Sequence, residues 1–155
     1  LLFIMNSQID IYTNLLLKLS KKALALDELP ISAIIVNPVT KKVISACINQ
    51  SKKNSILHAE INAILKASKL TNSNRLDKFD LYCSLEPCAM CTSAISFSRI
   101  RRVYFCLEDK KSGGFINGPK LIYSKNLHYK PKFYYGFKEN IFLDLMKNFF
   151  KKKRN

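Results

Sequence analysis

The sequence predicts a layered α/β domain built around a mixed sheet of about five strands. Segments with helical periodicity alternate along the chain with short apolar runs, which is typical of helices packed on a sheet. The first two apolar runs are joined by a short turn and predict an antiparallel hairpin, which makes the sheet mixed. The chain has 155 residues, of which 48% are hydrophobic, and this size favours one domain over residues 1–155.

The first third of the chain predicts a helix followed by the hairpin. Residues 9–26 place leucines at helical spacing on one side and lysines on the other. The segment 27–30 ends this helix with a proline. Apolar, β-branched runs over 31–36 and 43–48, joined by the turn at Asn37-Pro38, predict the two strands.

The middle of the chain predicts a helix, a strand and a second helix. The helix spans about 58–69, with Ser55 as its expected cap and an apolar stripe of Ile61, Ile64 and Leu65. A strand over 79–83 follows. The next helix spans 87–97, and Pro87 suits its first turn because the missing N–H would have no partner there.

The last third predicts two strands, a long loop and a final helix. The strands are 102–107 and 132–135, separated by the glycine-containing loop 110–130. The final helix begins near Asn140, and its apolar face consists of Ile141, Phe142, Leu145, Met146, Phe149 and Phe150. We expect residues 151–155 to form a basic tail beyond it.

The N-terminal segment 1–8 is expected to be an unstructured or extended extension without a role. Its apolar run is five residues long and lacks a basic leader, so it predicts neither a signal peptide nor a membrane span. The five cysteines are an odd number, and Cys47, Cys83 and Cys106 lie in apolar runs typical of buried thiols. These features predict a reducing compartment and a cytoplasmic protein.

Positive charge is concentrated near the C-terminus. The formal net charge is +15, and residues 110–155 hold twelve Lys and Arg against two acidic residues, a net of +10. A basic surplus of this kind is typical of proteins that bind a polyanion, most simply nucleic acid. A nucleotide composition rich in A and T would also raise the lysine content, so charge alone leaves both explanations open.

Two short motifs together predict a metal site. His58-Ala59-Glu60 and Pro87-Cys88-Ala89-Met90-Cys91 supply one imidazole and two thiolates. Cys88 and Cys91 are three residues apart and share a face at a helix start, whereas His58 and Glu60 are two apart and must lie at or just before one. Three protein ligands with an open fourth position are typical of catalytic zinc, which lowers the pKa of a bound water to about 7.

Glu60 is the carboxylate left over, and it is the candidate catalytic acid and base. The alternatives are that Glu60 is a fourth ligand of a closed structural zinc site, or that Cys88 and Cys91 are a redox pair. His128, the other histidine, is expected to be a loop residue. The combination H-x-E with P-C-x-x-C is the established signature of zinc-dependent nucleobase deaminases, and this chain matches it.

The chain resembles the bacterial tRNA-specific adenosine deaminases, which have the cytidine-deaminase-like fold. The resemblance is carried by His58-Ala59-Glu60-Ile61, by the segment 85–91 and by Ser98-Arg99-Ile100-Arg101-Arg102-Val103, and it extends from the first helix to Phe149-Phe150-Lys151. It implies a three-layer α/β/α fold and conversion of adenosine to inosine at the wobble position (34) of a tRNA.

The resemblance also implies site residues and partners. Zinc, one ion per subunit, would be bound by His58, Cys88 and Cys91, and Glu60 would move the proton from water to N1 of adenine as C6 is attacked. The implied partners are the anticodon stem-loop of a tRNA and a second copy of the chain, with no membrane and no DNA. The residues expected to contact the substrate are Ile31, Asn49, Asp109, Lys111, Phe149 and Phe150.

The chain departs from the family pattern at Ser32, Asn54-Ser55, Cys106 and Tyr129, none of which belongs to the zinc set. Two other functions are alternatives. One is a deaminase of a free base or nucleoside, such as guanine or cytosine, which the motif alone does not separate from an RNA enzyme. The other is a catalytically silent, zinc-stabilised RNA-binding subunit, which the intact Glu60 argues against.

Overall fold

Five strands form one mixed sheet in the structure, a computed structural model that describes the backbone of residues 2–154 and the side chains of residues 6–154. The strands are β1 (Ser32–Val36), β2 (Val43–Ile48), β3 (Asp80–Leu85), β4 (Arg102–Leu107) and β5 (Lys132–Tyr135). Their order across the sheet is β2-β1-β3-β4-β5. β1 is antiparallel to both β2 and β3, whereas β3, β4 and β5 are parallel. The predicted hairpin and mixed sheet are confirmed.

Helices cover both faces of the sheet. They are α1 (Leu2–Ala25), α2 (Ala59–Thr71), α3 (Ala89–Phe97) and α4 (Glu139–Arg154), with a short 3-10 helix at Leu121–Tyr123. α2 and α3 close the core that contains Ala63, Leu81 and Phe105. α1 and α4 close the second core, which contains Leu16, Tyr82 and Phe142. The predicted three-layer α/β/α fold is confirmed.

The position of β1 explains its composition. All five of its residues are buried, because the strand lies between β2 and β3 and both of its faces are covered by helices. A strand with two buried faces reads as a continuous apolar run instead of an alternating one. In β5, at the edge of the sheet, three of the four residues are exposed.

Both ends of the described chain are more helical than the sequence predicted. α1 begins at Leu2, so an extended segment 1–8 is wrong over the described residues, and Leu1 lies outside them. The segment lacks glycine and proline, and an existing helix propagates through such residues at little cost. Likewise, Lys151 to Arg154 continue α4 and do not form a separate tail, while Asn155 lies outside the described residues.

Three local predictions about the middle helices are wrong. The N-cap of α2 is His58 and not Ser55, and the N-cap of α3 is Cys88, with Pro87 one residue further out. Leu65 is 60% exposed, and the buried stripe of α2 consists mainly of Ala59, Ala63, Ile64 and Ala67. Small side chains are buried here because α2 packs closely against the sheet. None of the described helices is long and apolar enough to cross a membrane.

Candidate active site

The N-terminal ends of α2 and α3 lie side by side and bring the two sequence motifs together. His58 and Cys88 are the N-cap residues, each with an extended backbone (φ −67°, ψ 155° and φ −69°, ψ 175°), and neither side chain caps its own helix. Their side chains are therefore available to a ligand beyond the helix ends. The partial positive charge at both helix starts favours thiolate ligands and anionic groups at this position.

The three predicted ligands have the spacing of a zinc site. One ligand atom each from His58, Cys88 and Cys91 lies within 4.8 Å of the others, and it is the one such metal-ligating group found in the part of the chain that the structure describes. Nδ1 of His58 is 3.7 Å from Sγ of Cys88 and 3.6 Å from Sγ of Cys91. A tetrahedral zinc ion separates a sulfur from a nitrogen ligand by roughly 3.5 Å, so the donors fit one zinc ion per chain.

Electrostatics at the two thiols favour metal binding. The hydrogen bond from Cys91, together with His58, lowers the pKa of Cys88 to about 4, so this thiol is a thiolate at neutral pH. The neighbouring Cys88 and burial raise the pKa of Cys91 well above its usual range. A divalent cation between the two sulfurs removes this repulsion, and binding of the ion is therefore coupled to release of a proton from Cys91.

Glu60 lies beside the ligands without belonging to them. It is the second residue of α2 and only 3% exposed. Burial, followed by the charge of Cys88, raises the pKa of Glu60 to about 7, against the hydrogen bond from its own backbone N–H. A carboxyl with a pKa close to 7 is suited to accept and return a proton at neutral pH.

The site opens into a cleft of about 1140 Å³, which exceeds the usual range of small-molecule pockets. Its floor includes His58, Glu60 and Cys88, and one side is formed by Leu29, Ile31 and Asn49. The ends of β3 and β4 contribute Leu85, Glu86 and Leu107, and the segment 108–112 follows them. α4 contributes Glu139, Asn140, Leu143, Met146, Lys147, Phe150, Lys151 and Arg154.

Five of the six residues predicted to contact substrate line this cleft: Ile31, Asn49, Asp109, Lys111 and Phe150. Phe149 does not. It is 8% exposed, its ring packs edge-on against that of Phe150 with 5.5 Å between centroids, and the ammonium of Lys153 lies 5.6 Å from its ring centroid. Neighbouring residues on a helix point in different directions, so Phe150 faces the cleft while Phe149 packs inward.

Asn49 is held in one orientation by a residue that the sequence analysis did not assign to the site. Its Nδ2 donates to Oε2 of Glu28 at 3.1 Å and to Oγ of Ser51 at 2.7 Å. Both amide hydrogens are committed, which leaves Oδ1 to accept from a ligand. Glu28 and Asn49 are 21 residues apart, and no local pattern in the sequence connects them.

The departures from the family pattern lie away from the cleft lining. Ser32 is buried, its Oγ donates to the carbonyl of Leu16 at 2.8 Å, and it also contacts Oγ of Ser20 at 2.9 Å. The extra side chain therefore faces α1 and not the zinc. Cys106 is buried on the same face of the sheet. The backbone N–H of Tyr129 donates to Oγ of Ser96 at 2.7 Å in the loop before β5.

Comparison with known proteins defines the class. A family model described as the cytidine and deoxycytidylate deaminase zinc-binding region matches residues 6–107. Together with the three-layer fold and the His58, Cys88 and Cys91 cluster, this match makes the chain a zinc-dependent deaminase. A guanine deaminase from Nitrosomonas europaea shares the fold, with a TM-score of 0.73 at 19% identity over 86% of this chain and 80% of that one.

Relatives with higher sequence identity show which family of deaminases the chain belongs to. The tRNA-specific adenosine deaminase of Rickettsia bellii (strain RML369-C) is 39% identical over 142 residues, or 90% of this chain and 97% of the relative. A solved structure from work on A-to-I editing by tRNA:A34 deaminases matches with a TM-score of 0.83 and 34% identity, covering 88% of this chain and 99% of that one. The chain belongs to the tRNA-specific adenosine deaminase family, and the resemblance found in its sequence is confirmed.

Proposed function

We propose that this chain deaminates adenosine to inosine at the wobble position of a tRNA anticodon, with one zinc ion per subunit. The observation that carries this proposal is a zinc site beside a buried carboxylate that is not one of the three ligands, opening into a large cleft lined in part by a basic helix. A free base would fill only part of that cleft. The family relatives named as tRNA-specific adenosine deaminases support the same substrate.

Glu60 is the group that moves protons. Zinc held by His58, Cys88 and Cys91 would supply a water activated for attack on C6 of adenine. Glu60 takes one proton from that water and delivers it to N1 of the base. It then takes the second proton from the hydroxyl group formed on C6 and gives it to the departing amine. Adenosine and water thus become inosine and ammonia. Burial raises the pKa of Glu60 above its ordinary value, which strengthens the carboxylate as a proton acceptor.

The cleft walls position the base and its neighbours. Asn49 presents Oδ1 to a donor on the purine edge, because Glu28 and Ser51 occupy its amino group. Ile31 packs against the base. Asp109 and Lys111 lie where flanking nucleotides enter, and Oδ1 of Asp109 accepts from the backbone N–H of Lys111 at 3.1 Å, which holds the loop in a tight turn.

The reacting adenosine must leave its stack to reach the zinc. The ligands lie at two helix starts on the floor of the cleft, so a base stacked in a duplex would not present C6 to them. A single-stranded loop allows a base to swing out at low cost. The anticodon loop therefore meets the geometric requirement. Phe150 offers a ring for stacking, and Lys147, Lys151 and Arg154 offer charge to the phosphates.

Assembly and location follow as part of the same proposal. Large apolar side chains remain exposed on the α2 and α3 side, among them Leu65, Leu70 and Phe97, and a second copy of the chain would cover such a patch. Thiolate ligands require a reducing environment to stay available for zinc. We therefore propose a homodimer that acts in the cytoplasm.

Release of ammonia from competing substrates tests the function. The purified protein would be given an anticodon stem-loop with adenosine at the wobble position, the same adenosine in a continuous duplex, free cytidine and free guanine. We expect turnover of the stem-loop only, and a larger effect of Asn49→Ala on the deamination rate than on RNA affinity. Faster turnover of guanine or cytidine would replace this proposal with deamination of a free base or nucleoside.

A further inference from the structure

A second buried carboxylate lies next to the zinc site and takes no part in the chemistry described above. Glu86 follows β3, precedes Pro87 and Cys88, and is 1% exposed. Its carboxylate accepts five hydrogen bonds, and every donor belongs to the segment 109–117. A buried carboxylate that is held by donors from one segment fixes where that segment lies, so a positional role is indicated.

The five bonds tie the carboxylate to both ends of that segment. Oε1 accepts from three consecutive backbone N–H groups, those of Phe115, Ile116 and Asn117, at 3.2, 2.8 and 3.0 Å. Oε2 accepts from the backbone of Asp109 at 3.0 Å and from Nδ2 of Asn117 at 2.8 Å. Consecutive N–H groups around one oxygen form an anion-binding concavity, here filled by a side chain of the protein itself.

The same segment is laid across the start of α3. The backbone N–H of Gly114 donates to the carbonyl of Pro87 at 2.7 Å, and Gly113 forms an isolated antiparallel bridge with Cys88. Both glycines are required by space. A Cβ built on Gly113 would overlap the Glu86 carboxylate, and one on Gly114 would overlap Oγ1 of Thr92. The segment is therefore fixed to the zinc ligand Cys88 on one side and to Glu86 on the other.

We propose that Glu86 is a positioning residue that holds the substrate-contact loop at a set distance from the zinc. The loop carries Asp109 and Lys111 into the cleft that also contains Cys88. Glu86 holds this loop and lies two residues before Cys88. It thereby sets the separation between the reacting base at the zinc and the flanking nucleotides at the loop. The inference rests on the proposed function, because it assigns the loop to RNA.

The chemistry requires a carboxylate of this length. In Glu86→Gln one carboxylate oxygen becomes an NH₂ group. In the place of Oε2, this group would face the N–H groups of Asp109 and Asn117, which now donate to that oxygen. Donor would then meet donor in a buried place, and such unpaired groups are costly. Glu86→Asp keeps the charge but shortens the side chain by one CH₂, which draws the oxygens away from the segment 115–117.

The first test compares Glu86→Gln with Asp77→Asn, the same carboxyl-to-amide change at an exposed loop residue. Trypsin cuts after Lys110 and Lys111, so cleavage there reports release of the loop. We expect cleavage at least tenfold faster in Glu86→Gln and unchanged in Asp77→Asn, with zinc content of the folded protein retained. Asn117→Ala removes one of the five hydrogen bonds to Glu86, together with one to Glu108, and should show the same change to a smaller degree.

A double-mutant cycle tests the contact itself. Gly113→Ala should lower Tm in the parent because the new methyl group collides with the Glu86 carboxylate, and it should lower Tm much less in Glu86→Ala, where that carboxylate is absent. Equal decreases in both backgrounds would show that Gly113 and Glu86 are not coupled, and would overturn the inference.

Kinetics on the anticodon stem-loop separate positioning from general stability. We expect KM for Glu86→Gln to rise at least tenfold while kcat stays within about threefold, since the zinc and Glu60 are untouched. Loss of zinc with a proportional fall in kcat would mean that Glu86 only supports Cys88, and would overturn the inference. If the parent deaminates the stem-loop and Glu86→Gln has the same KM, the inference is also overturned. Absence of turnover by the parent would instead refute the proposed function.

Discussion

The basic face of α4 gives the most quantitative prediction, because only some of its cations line the cleft. Lys147, Lys151 and Arg154 line the cleft. Lys153 instead pairs with Asp27 at 2.7 Å. The sequence alone predicts one basic tail from Lys151 to Arg154, whereas in the helix only Lys151 and Arg154 of these four residues line the cleft. Neutralising the three that line the cleft should therefore have the larger effect on RNA binding.

The expected size follows from counterion release. Each contact with a single-strand phosphate contributes about 0.7 to the slope of log affinity against log salt, so three cations contribute about 2. Between 50 and 200 mM salt, the affinity of the parent should fall roughly 20-fold more than that of the Lys147→Gln, Lys151→Gln, Arg154→Gln variant. Fluorescence anisotropy of a labelled stem-loop across this salt range measures both slopes.

The matched control removes the same charge elsewhere. Lys18, Lys21 and Lys22 are exposed on α1 and do not line the cleft. Exchanging these three for Gln should change the slope much less, since ions screen charges beyond about 10 Å. Equal slopes in the two triple variants would show that only net charge matters and would refute the assignment of α4 to the phosphates.

Three further predictions concern the metal, the aromatic pair and the buried carboxyl. Cys88→Ala should lose both zinc and activity, and a fully occupied ion in this variant, measured by metal analysis, would refute the ligand assignment. Phe149→Ala should lower the free energy of unfolding, measured with urea as denaturant, by about 3 kcal/mol or more. Phe150→Ala should leave stability unchanged and weaken RNA binding by about 1 to 3 kcal/mol. The reverse pattern would contradict the orientation of α4. In metal-free protein, the pKa of Glu60 is raised from 4.5 to about 7. Between these pH values the folded protein keeps this proton and the unfolded chain loses it. The folded state therefore loses stability through this group as the pH rises. Relative to the parent, Glu60→Gln should gain up to about 3 kcal/mol from pH 4.5 to 7 in urea denaturation, and a constant difference would show that the carboxyl is not buried.

The zinc set was predictable from the sequence because its spacing is a local constraint. Residues two apart do not share a helix face, so His58 and Glu60 had to lie at a helix start, and the structure places His58 at the N-cap and Glu60 just inside. The paired cysteines at the start of α3 follow from the same reasoning. The alternating elements also predicted the mixed sheet, including β2, β4 and β5 with their observed bounds.

What the sequence did not reveal depends on contacts between distant residues. Glu28 orients Asn49 from 21 positions away, and Glu86 reaches donors as far as 31 positions along the chain. Periodicity places a residue on a helix but does not decide which of two adjacent phenylalanines faces a cleft that other elements form. For the same reason, only the structure shows that Phe149 is buried and that Phe150 lines the cleft.

The central claim is that Glu60 moves protons beside an open zinc site, and one variant tests it most directly. Glu60→Gln should retain one zinc ion per chain and its fold while its rate on the wobble-adenosine stem-loop falls by about 10² or more, the scale of a general acid and base. Zinc content and single-turnover rate would be measured on the same preparation. Loss of zinc from this variant would mean that Glu60 is a fourth ligand of a closed site, and an unchanged rate with zinc retained would contradict the account as well.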